Sequence, residues 1–162
     1  MTALISDCGT YRYNLTRPIA DRGWKVSVIM VNPSTADAVD NDATIRKLIG
    51  FGNRLGWQSF TVVNLFAYRA TDVNALKAAS DPIGPINDGC ILSAMLESDL
   101  TVVAWGASGK LPPRLRDRWR IIEALANSLD RKLWCFGTCA DGHPLHPVMI
   151  PYDIIRTWEP PR

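Results

Sequence analysis

Four runs of mostly apolar and often β-branched residues recur along the chain, and each has the length of a strand. They lie at residues 25–31, 60–66, 100–105 and 132–136. Because apolar residues are nearly continuous within them, each run is typical of a strand that is buried on both faces, as in a parallel sheet. Asn32-Pro33 follows the first run, and Gly106 and Gly137 follow the third and fourth. The pattern predicts a central four-stranded, mostly parallel sheet.

The stretches between these runs have the apolar spacing of helices, as the crossovers between parallel strands require. Asp42 is a suitable cap for a first helix. A second helix is predicted at about residues 85–97, and a third after Pro112-Pro113. Residues 11–15 alternate with a period of two, which predicts a short additional strand or hairpin arm at the sheet edge. We therefore expect a single α/β domain over residues 1–162, built as a three-layer sandwich.

Length and composition agree with one ordinary globular domain. The chain has 162 residues, of which 47% are hydrophobic and 21% charged. No segment approaches the roughly 18 apolar residues that a membrane span requires, and the first residues lack the charged start and apolar stretch of a signal peptide. We therefore expect a cytoplasmic protein that has no contact with a membrane and no obligate protein partner.

Metal ligands and cofactor motifs are sparse in the sequence. The four cysteines are scattered and include no CxxC pair, which argues against a structural zinc site. Asp37, Asp40 and Asp42 carry oxygen ligands that suit Mg²⁺ together with a phosphate, although a helix cap is the stronger interpretation of Asp42. The sequence therefore predicts neither a metal nor a cofactor.

Positive charge is low overall but concentrated in one place. The net charge is +2, so the protein is not a polycation that coats nucleic acid indiscriminately. Residues 110–120 nevertheless contain Lys110 and four arginines, interrupted only by Asp117 among acidic residues. This segment is either a solvated helix face or a phosphate-binding stripe, and the sequence leaves both interpretations open.

Polar side chains are concentrated at the ends of the four predicted strands. In open α/β sheets, ligands bind outside the carboxyl ends of the strands, so these are the positions where a site is expected. In chain order the candidates are Asn32, Ser34, Asn64, Tyr68, Arg69, Ser108, Lys110, His143 and His146. The last two are the only histidines of the chain, and each is followed by proline.

These strand-end motifs resemble those of the uracil-DNA glycosylase superfamily, small single-sheet α/β proteins that hydrolyse the bond between a base and its sugar. Asn32-Pro33 is similar to the motif that positions or activates the attacking water. Asn64 matches the asparagine that hydrogen-bonds the flipped base. The sequence from 103 to 107, followed by Lys110, resembles the third motif. His143-Pro144 matches the fourth motif, which supplies a catalytic histidine.

His146-Pro147 is a rival to His143-Pro144 for the fourth motif. At a closer level, the strings NPSTAD, NLFAYRATD, GPIND and GHPLHP resemble a bacterial and phage family known as domain of unknown function 1643. That family brings no established activity. The functional expectation therefore comes from the more distant glycosylase resemblance.

The glycosylase resemblance implies an N-glycosidase that acts on a modified or damaged base in nucleic acid or in a nucleotide, without a metal. Asn32 would hold the water through its carbonyl oxygen, and His143 would donate to the departing base. Asn64 would bind the base edge, with Phe66 and Tyr68 as stacking partners. Phosphate or sugar contacts would come from Ser34, Arg69, Ser108, Lys110 and His146. Since an asparagine is a weak base, such an enzyme would be slow or would act on a reactive leaving group.

Other interpretations use the same strand-end crevice. A non-catalytic module that binds a nucleotide or nucleic acid would need the same side chains, and a third possibility is an adaptor that depends on the basic segment. Asn32 could instead make a local turn, and the histidines could be structural. Only a short segment follows residue 147, and the net charge is low. Both features favour a free nucleotide, a modified nucleoside or a single strand over duplex DNA.

Overall fold

A computed structural model describes residues 1–34, 39–153 and 155–161, which form one seven-stranded sheet and three α-helices. The strands are β1 (Thr2–Ile5), β2 (Arg12–Pro18), β3 (Trp24–Met30), β4 (Trp57–Asn64), β5 (Leu100–Val103), β6 (Leu133–Cys135) and β7 (Arg156–Thr157). The α-helices are α1 (Ala43–Leu55), α2 (Asn87–Glu97) and α3 (Arg120–Ser128). Among the described residues no helix is long and apolar enough to cross a membrane.

The strand order in the sheet is β1-β2-β4-β3-β5-β6-β7. The four predicted strands are its parallel centre, β4-β3-β5-β6, while β1, β2 and β7 pair antiparallel at the two edges. The predicted count of four strands is therefore wrong. Edge strands lack the continuous apolar signal: β1 alternates between exposed and half-buried residues, and the two residues of β7 are both exposed. β2 is the additional strand that the alternation at residues 11–15 indicates.

Two apolar clusters lie on opposite faces of the sheet, because successive side chains of a strand point to opposite sides. Val28, Val62 and Val102 pack together with α1 on one face. Their neighbours Ile29, Val63 and Val103 pack with α2 and α3 on the other. The central strands are thus covered on both sides. This is why their sequences are apolar at nearly every position.

Local signals explain the helix boundaries. Asp42 accepts a hydrogen bond from the backbone N–H of Ile45 at 2.8 Å, and Gly56 ends α1 in the left-handed conformation with φ of 69°. The helix predicted after Pro112-Pro113 begins instead as a 3-10 helix, Pro113–Trp119, and becomes α-helical only at Arg120.

Gly23 is required by the close approach of two loops. Its φ is +130°, and a Cβ atom there would lie 2.2 Å from the carbonyl oxygen of Gly56. We expect Gly23→Ala to lower the free energy of unfolding by at least about 2 kcal/mol, because both backbones must move. Gly89→Ala is the matched control: its Cβ meets nothing within 4 Å, and we expect a gain of about 0.5–1 kcal/mol. Urea denaturation measures both, and a Gly23→Ala protein as stable as the wild type would contradict the argument.

Candidate functional site

A cavity of about 560 Å³ opens at the carboxyl ends of the central strands, on the α1 side of the sheet. Met30 and Val62 contribute its floor from the sheet, and Thr44 and Ile45 contribute a wall from the first turn of α1. This volume is in the range of protein sites for small molecules. The cavity therefore lies where an open α/β sheet is expected to bind a ligand.

Asn64 is the last residue of β4 and lines the cavity, although only 1% of its surface is exposed. Its Nδ2 has no hydrogen-bond partner among the described residues. A buried donor without a partner costs about 1–3 kcal/mol. The backbone here is fully held, since the Asn64 carbonyl accepts from Asn87 Nδ2 at 3.0 Å. The side chain is thus a rigidly placed donor that an acceptor on a ligand would satisfy.

Asn32 lies just after β3 and also lines the cavity. Its Nδ2 donates to the carbonyl oxygen of Ala70 at 2.7 Å and to that of Pro33 at 3.3 Å. These bonds fix the plane of the amide. The carbonyl oxygen Oδ1 has no hydrogen bond with any described residue, so it remains an acceptor suited to a water molecule.

Ser34 and Asp42 form one wall through a shared hydrogen bond. The Ser34 hydroxyl donates to Asp42 Oδ2, while Asp42 Oδ1 caps α1. Both carboxylate oxygens are therefore engaged, and Asp42 acts as a helix cap as predicted. Asp37, from the proposed acidic cluster, lies outside the described residues. In the part of the chain that is described, no three acidic, histidine or cysteine side chains are placed to hold a metal ion.

His146 is the histidine that lines the cavity. Its Nδ1 accepts from the backbone N–H of Val148 at 3.4 Å, so the proton of the neutral ring is on Nε2. Burial lowers the pKa of His146, nearby Lys110 lowers it further, and Asp42 opposes both. His146 therefore offers a neutral N–H donor, held in place by the following turn.

His143 is buried away from the cavity, with 5% of its surface exposed. Its Nδ1 accepts from Trp105 Nε1 at 3.3 Å, and its ring lies edge to face with Trp119 at a centroid distance of 5.6 Å. Burial lowers its pKa, and the Asp141 carboxylate opposes that shift. The structure thus brings His146, and not the expected His143, to the ligand site.

Five of the ten predicted site residues line the cavity: Asn32, Ser34, Asn64, Lys110 and His146. The other five do not: Phe66, Tyr68, Arg69, Ser108 and His143. Phe66 is fully buried between the sheet and α2. Tyr68 packs against the edge of the Tyr11 ring, and Arg69 donates to the carbonyl oxygen of Gly9 at 3.1 Å.

Ser108 is held by Asp141, to whose carboxylate it donates from both its backbone N–H and its hydroxyl. Burial alone would raise the pKa of Asp141, but these bonds and one from the backbone N–H of His143 outweigh it and lower the pKa. The pair links the loop after β5 to the loop after β6. Ser108 therefore has a structural partner rather than a ligand-facing position.

Sequence reasoning missed two residues of the wall. Arg12, the first residue of β2, lines the cavity although only 3% of its surface is exposed. Trp105, two residues after β5, has only 5% of its surface exposed, yet it also lines the cavity. Because β2 runs antiparallel to β4, its first residue lies near the carboxyl end of β4, which the alternation of β2 does not reveal, and the apolar surroundings of Trp105 hid its role.

Comparison with known proteins identifies a family. A family described as "Protein of unknown function (DUF1643)" matches residues 12–148. The chain belongs to the DUF1643 family. No curated protein and no solved structure matches it. The DUF1643 match begins at Arg12 and ends at Val148, so it contains every described residue that lines the cavity.

The unpartnered amide of Asn64 predicts a gain in stability when it is removed. In Asn64→Leu we expect the free energy of unfolding to rise by about 1 kcal/mol, because an unsatisfied buried donor disappears. Asn87→Leu is the matched control: it removes the amide that donates to the carbonyls of Asn64 and Leu65, so we expect a loss of about 1–3 kcal/mol. Chemical denaturation of both variants tests this, and a destabilised Asn64→Leu protein would count against an empty donor.

The two histidines predict a pH dependence of stability. Each has a pKa below its usual value in the folded state, so the unfolded chain takes up protons first as the pH falls. The free energy of unfolding should therefore decrease between pH 7 and 5.5, with each histidine contributing a slope of at most about 1.4 kcal/mol per pH unit. His143→Asn, which keeps an acceptor near Trp105, should flatten the slope. Denaturation midpoints across this range measure it, and an unchanged slope would contradict a neutral His143.

Proposed function

We propose that this chain is an N-glycosidase that hydrolyses the base–sugar bond of a modified or damaged base in a nucleotide or nucleic acid. One observation carries the proposal: Asn64 lines a cavity of about 560 Å³, and its buried Nδ2 has no hydrogen-bond partner in the described part of the chain. A base edge supplies the acceptor that this amide needs in a desolvated site. The four strand-end motifs similar to those of uracil-DNA glycosylases support it, and we infer the three-layer arrangement of that superfamily.

The proposed chemistry uses two further groups of the wall. Asn32 Oδ1 orients a water whose oxygen forms the new bond to the anomeric carbon as the bond from that carbon to the base nitrogen breaks. The electron pair of the broken bond leaves with the base. His146 Nε2–H donates a hydrogen bond to the base as its negative charge develops, and the proton lost by the water neutralises the product. His146 thus takes the role first assigned to His143.

The surroundings of these groups favour such electrostatic assistance. Trp105 and Leu111 line the cavity and are mostly buried. These two apolar side chains shield the neighbouring polar groups of the cavity wall from bulk water. Hydrogen bonds to a developing charge are stronger in a site of low polarity, provided that the donors are already in place. His146 meets this condition because its Nδ1 accepts from the backbone N–H of Val148, and the backbone that carries Asn64 is held by the bond from Asn87 Nδ2 to its carbonyl oxygen.

A non-catalytic nucleotide-binding module is the second candidate, and one observation favours it. The two carboxylates that line the described part of the cavity, Asp42 and Asp72, both cap helices. Asp42 has both oxygens engaged. Activation of water is therefore left to the Asn32 amide, which is a poor base. A binding module would retain the ligand contacts of Asn64 and His146 without requiring that activation.

Base release distinguishes the two candidates. The purified protein is incubated with nucleotides and oligonucleotides that carry normal, deaminated and modified bases, and free base is detected by mass spectrometry. We expect release to fall roughly 100-fold in Asn32→Ala and in His146→Asn, since each removes a contact made in the transition state. Asn127→Ala, an exposed asparagine of α3, is the control and should retain full activity.

His146→Asn is chosen because its side-chain oxygen can still accept from Val148, so the local turn is preserved. Release that survives in both Asn32→Ala and His146→Asn would refute the assignment of roles. Binding of a nucleotide without any release of base, weakened in Asn64→Leu, would establish the binding module instead.

A further inference from the structure

The basic segment at residues 110–120 is occupied by contacts within the protein. Arg114 donates to the carbonyl oxygens of residues 76, 77 and 79, at and just after the end of the 3-10 helix Val73–Lys77. Arg116 donates to the carbonyl oxygen of Leu111. Arg118 donates to that of Leu65 and pairs with Asp88. Arg120 lies over the Trp119 ring and beside Asp117. None of these four arginines lines the cavity, so they are not arranged as a phosphate-binding stripe.

Cations of α1 are covered in a similar way by the segment that follows His146. Tyr152 packs against α1, with Lys47 Nζ and the Arg54 guanidinium carbon each 3.9 Å from its ring centroid. The same ring lies edge to face with Phe51. At Tyr152, the described part of this segment therefore packs against α1.

Lys110 differs from the other cations of its segment. Its side chain is exposed and lines the cavity, and no hydrogen bond or ion pair joins its ammonium group to a described residue. It lies close enough to His146 to lower that residue's pKa. Lys110 is a single exposed cation near His146, the proposed leaving-group donor. It can neutralise one phosphate group, whereas a polymer requires a row of several cations.

The other charges of the cavity wall also limit the negative charge that it can accept. Arg12 and Lys110 are balanced by Asp42 and Asp72 in the described lining. A polyanion crossing this opening would meet two carboxylates, whereas a single phosphate can lie at Lys110 alone. We propose that the ligand of this site is a free nucleoside monophosphate, whose phosphate is bound by Lys110 while its base contacts Asn64. This inference rests on the proposed function and specifies its substrate.

The test compares ligands that share the same bases. Calorimetry with the full chain measures the affinity for nucleoside 5′-monophosphates of ordinary and deaminated bases, for the matching nucleosides, and for a single-stranded 12-mer of those bases. We expect at least one monophosphate to bind roughly tenfold more tightly than its nucleoside and more tightly than the 12-mer. Lys110→Ala should abolish the tenfold preference and leave the affinity for the nucleoside unchanged. Lys132→Ala, at the opposite end of the sheet, should retain it.

Salt dependence gives an independent reading. The logarithm of the affinity for the monophosphate should fall with a slope of about one or less against the logarithm of salt concentration, whereas a bound polymer shows a slope that grows with the number of phosphates contacted. Tighter binding of the 12-mer with a steep slope, or base release from oligonucleotides alone, would overturn this inference and leave the glycosidase proposal standing. Lys110-dependent binding of a monophosphate without base release would uphold the inference and reject the glycosidase. If nothing in the panel binds or is cleaved, both proposals fail.

Discussion

The parallel pairing of β3 with β4 is the interaction on which the rest of the site depends. The pairing sets Met30 beside Asn64, so the chain leaves both strands at the same edge of the sheet. Three further hydrogen bonds join the departing segments: the Leu65 and Phe66 N–H groups donate to the carbonyls of Met30 and Val31, and Asn32 Nδ2 donates to the Ala70 carbonyl oxygen at 2.7 Å. The backbone thus positions one amide acceptor and one amide donor before any ligand arrives.

Nearly every buried polar side-chain atom of the described residues has a hydrogen-bond partner, so the few atoms without one are informative. Asn64 and Asn87 are similarly buried, and each leaves one side-chain atom without a partner among the described residues, Nδ2 in Asn64 and Oδ1 in Asn87. Asn87 Nδ2, however, donates to the carbonyls of Asn64 and Leu65, and of the two residues only Asn64 lines the cavity. Their roles differ accordingly. Asn87 fastens α2 to the end of β4 and secures the backbone. Asn64 Nδ2 can still donate a hydrogen bond at the cavity. Functional sites often retain buried polar groups of this kind whose hydrogen bonds the protein itself does not complete.

How far the sequence could predict this structure depends on which physical signal each part carries. Because the four central strands are buried on both faces, their apolar runs identify them in the sequence. Asn32 and Asn64 lie where β3 and β4 end, so the sequence predicts that they lie at the same edge of the sheet. The edge strands β1 and β7 lack that signal, and the alternation of β2 does not show that its first residue, Arg12, reaches the cavity, so these features could not be anticipated. The two histidines lie three residues apart in an irregular loop where Gly142 has φ of 79°. No periodicity in the sequence predicts which of the two rings faces the cavity. In the structure, the hydrogen bond from Trp105 Nε1 to His143 Nδ1 holds the His143 ring in the core.

The hydrogen bond from Trp105 to His143 also connects His143, which does not line the cavity, to the site that His146 lines. The loop after β5 is joined to the loop after β6 by Trp105 to His143, by Gly106 N–H to the Pro144 carbonyl at 2.9 Å, and by Ser108 to Asp141. These bonds set the wall that carries Lys110 against the wall that carries His146. They belong to the segments after β5 and β6, whereas Asn32 and Asn64 belong to β3 and β4, and the pairing of β3 with β5 joins these two halves at the sheet centre. A shift between β3 and β5 would move Asn32 and Asn64 away from Lys110 and His146. The proposed chemistry therefore requires a rigid sheet centre.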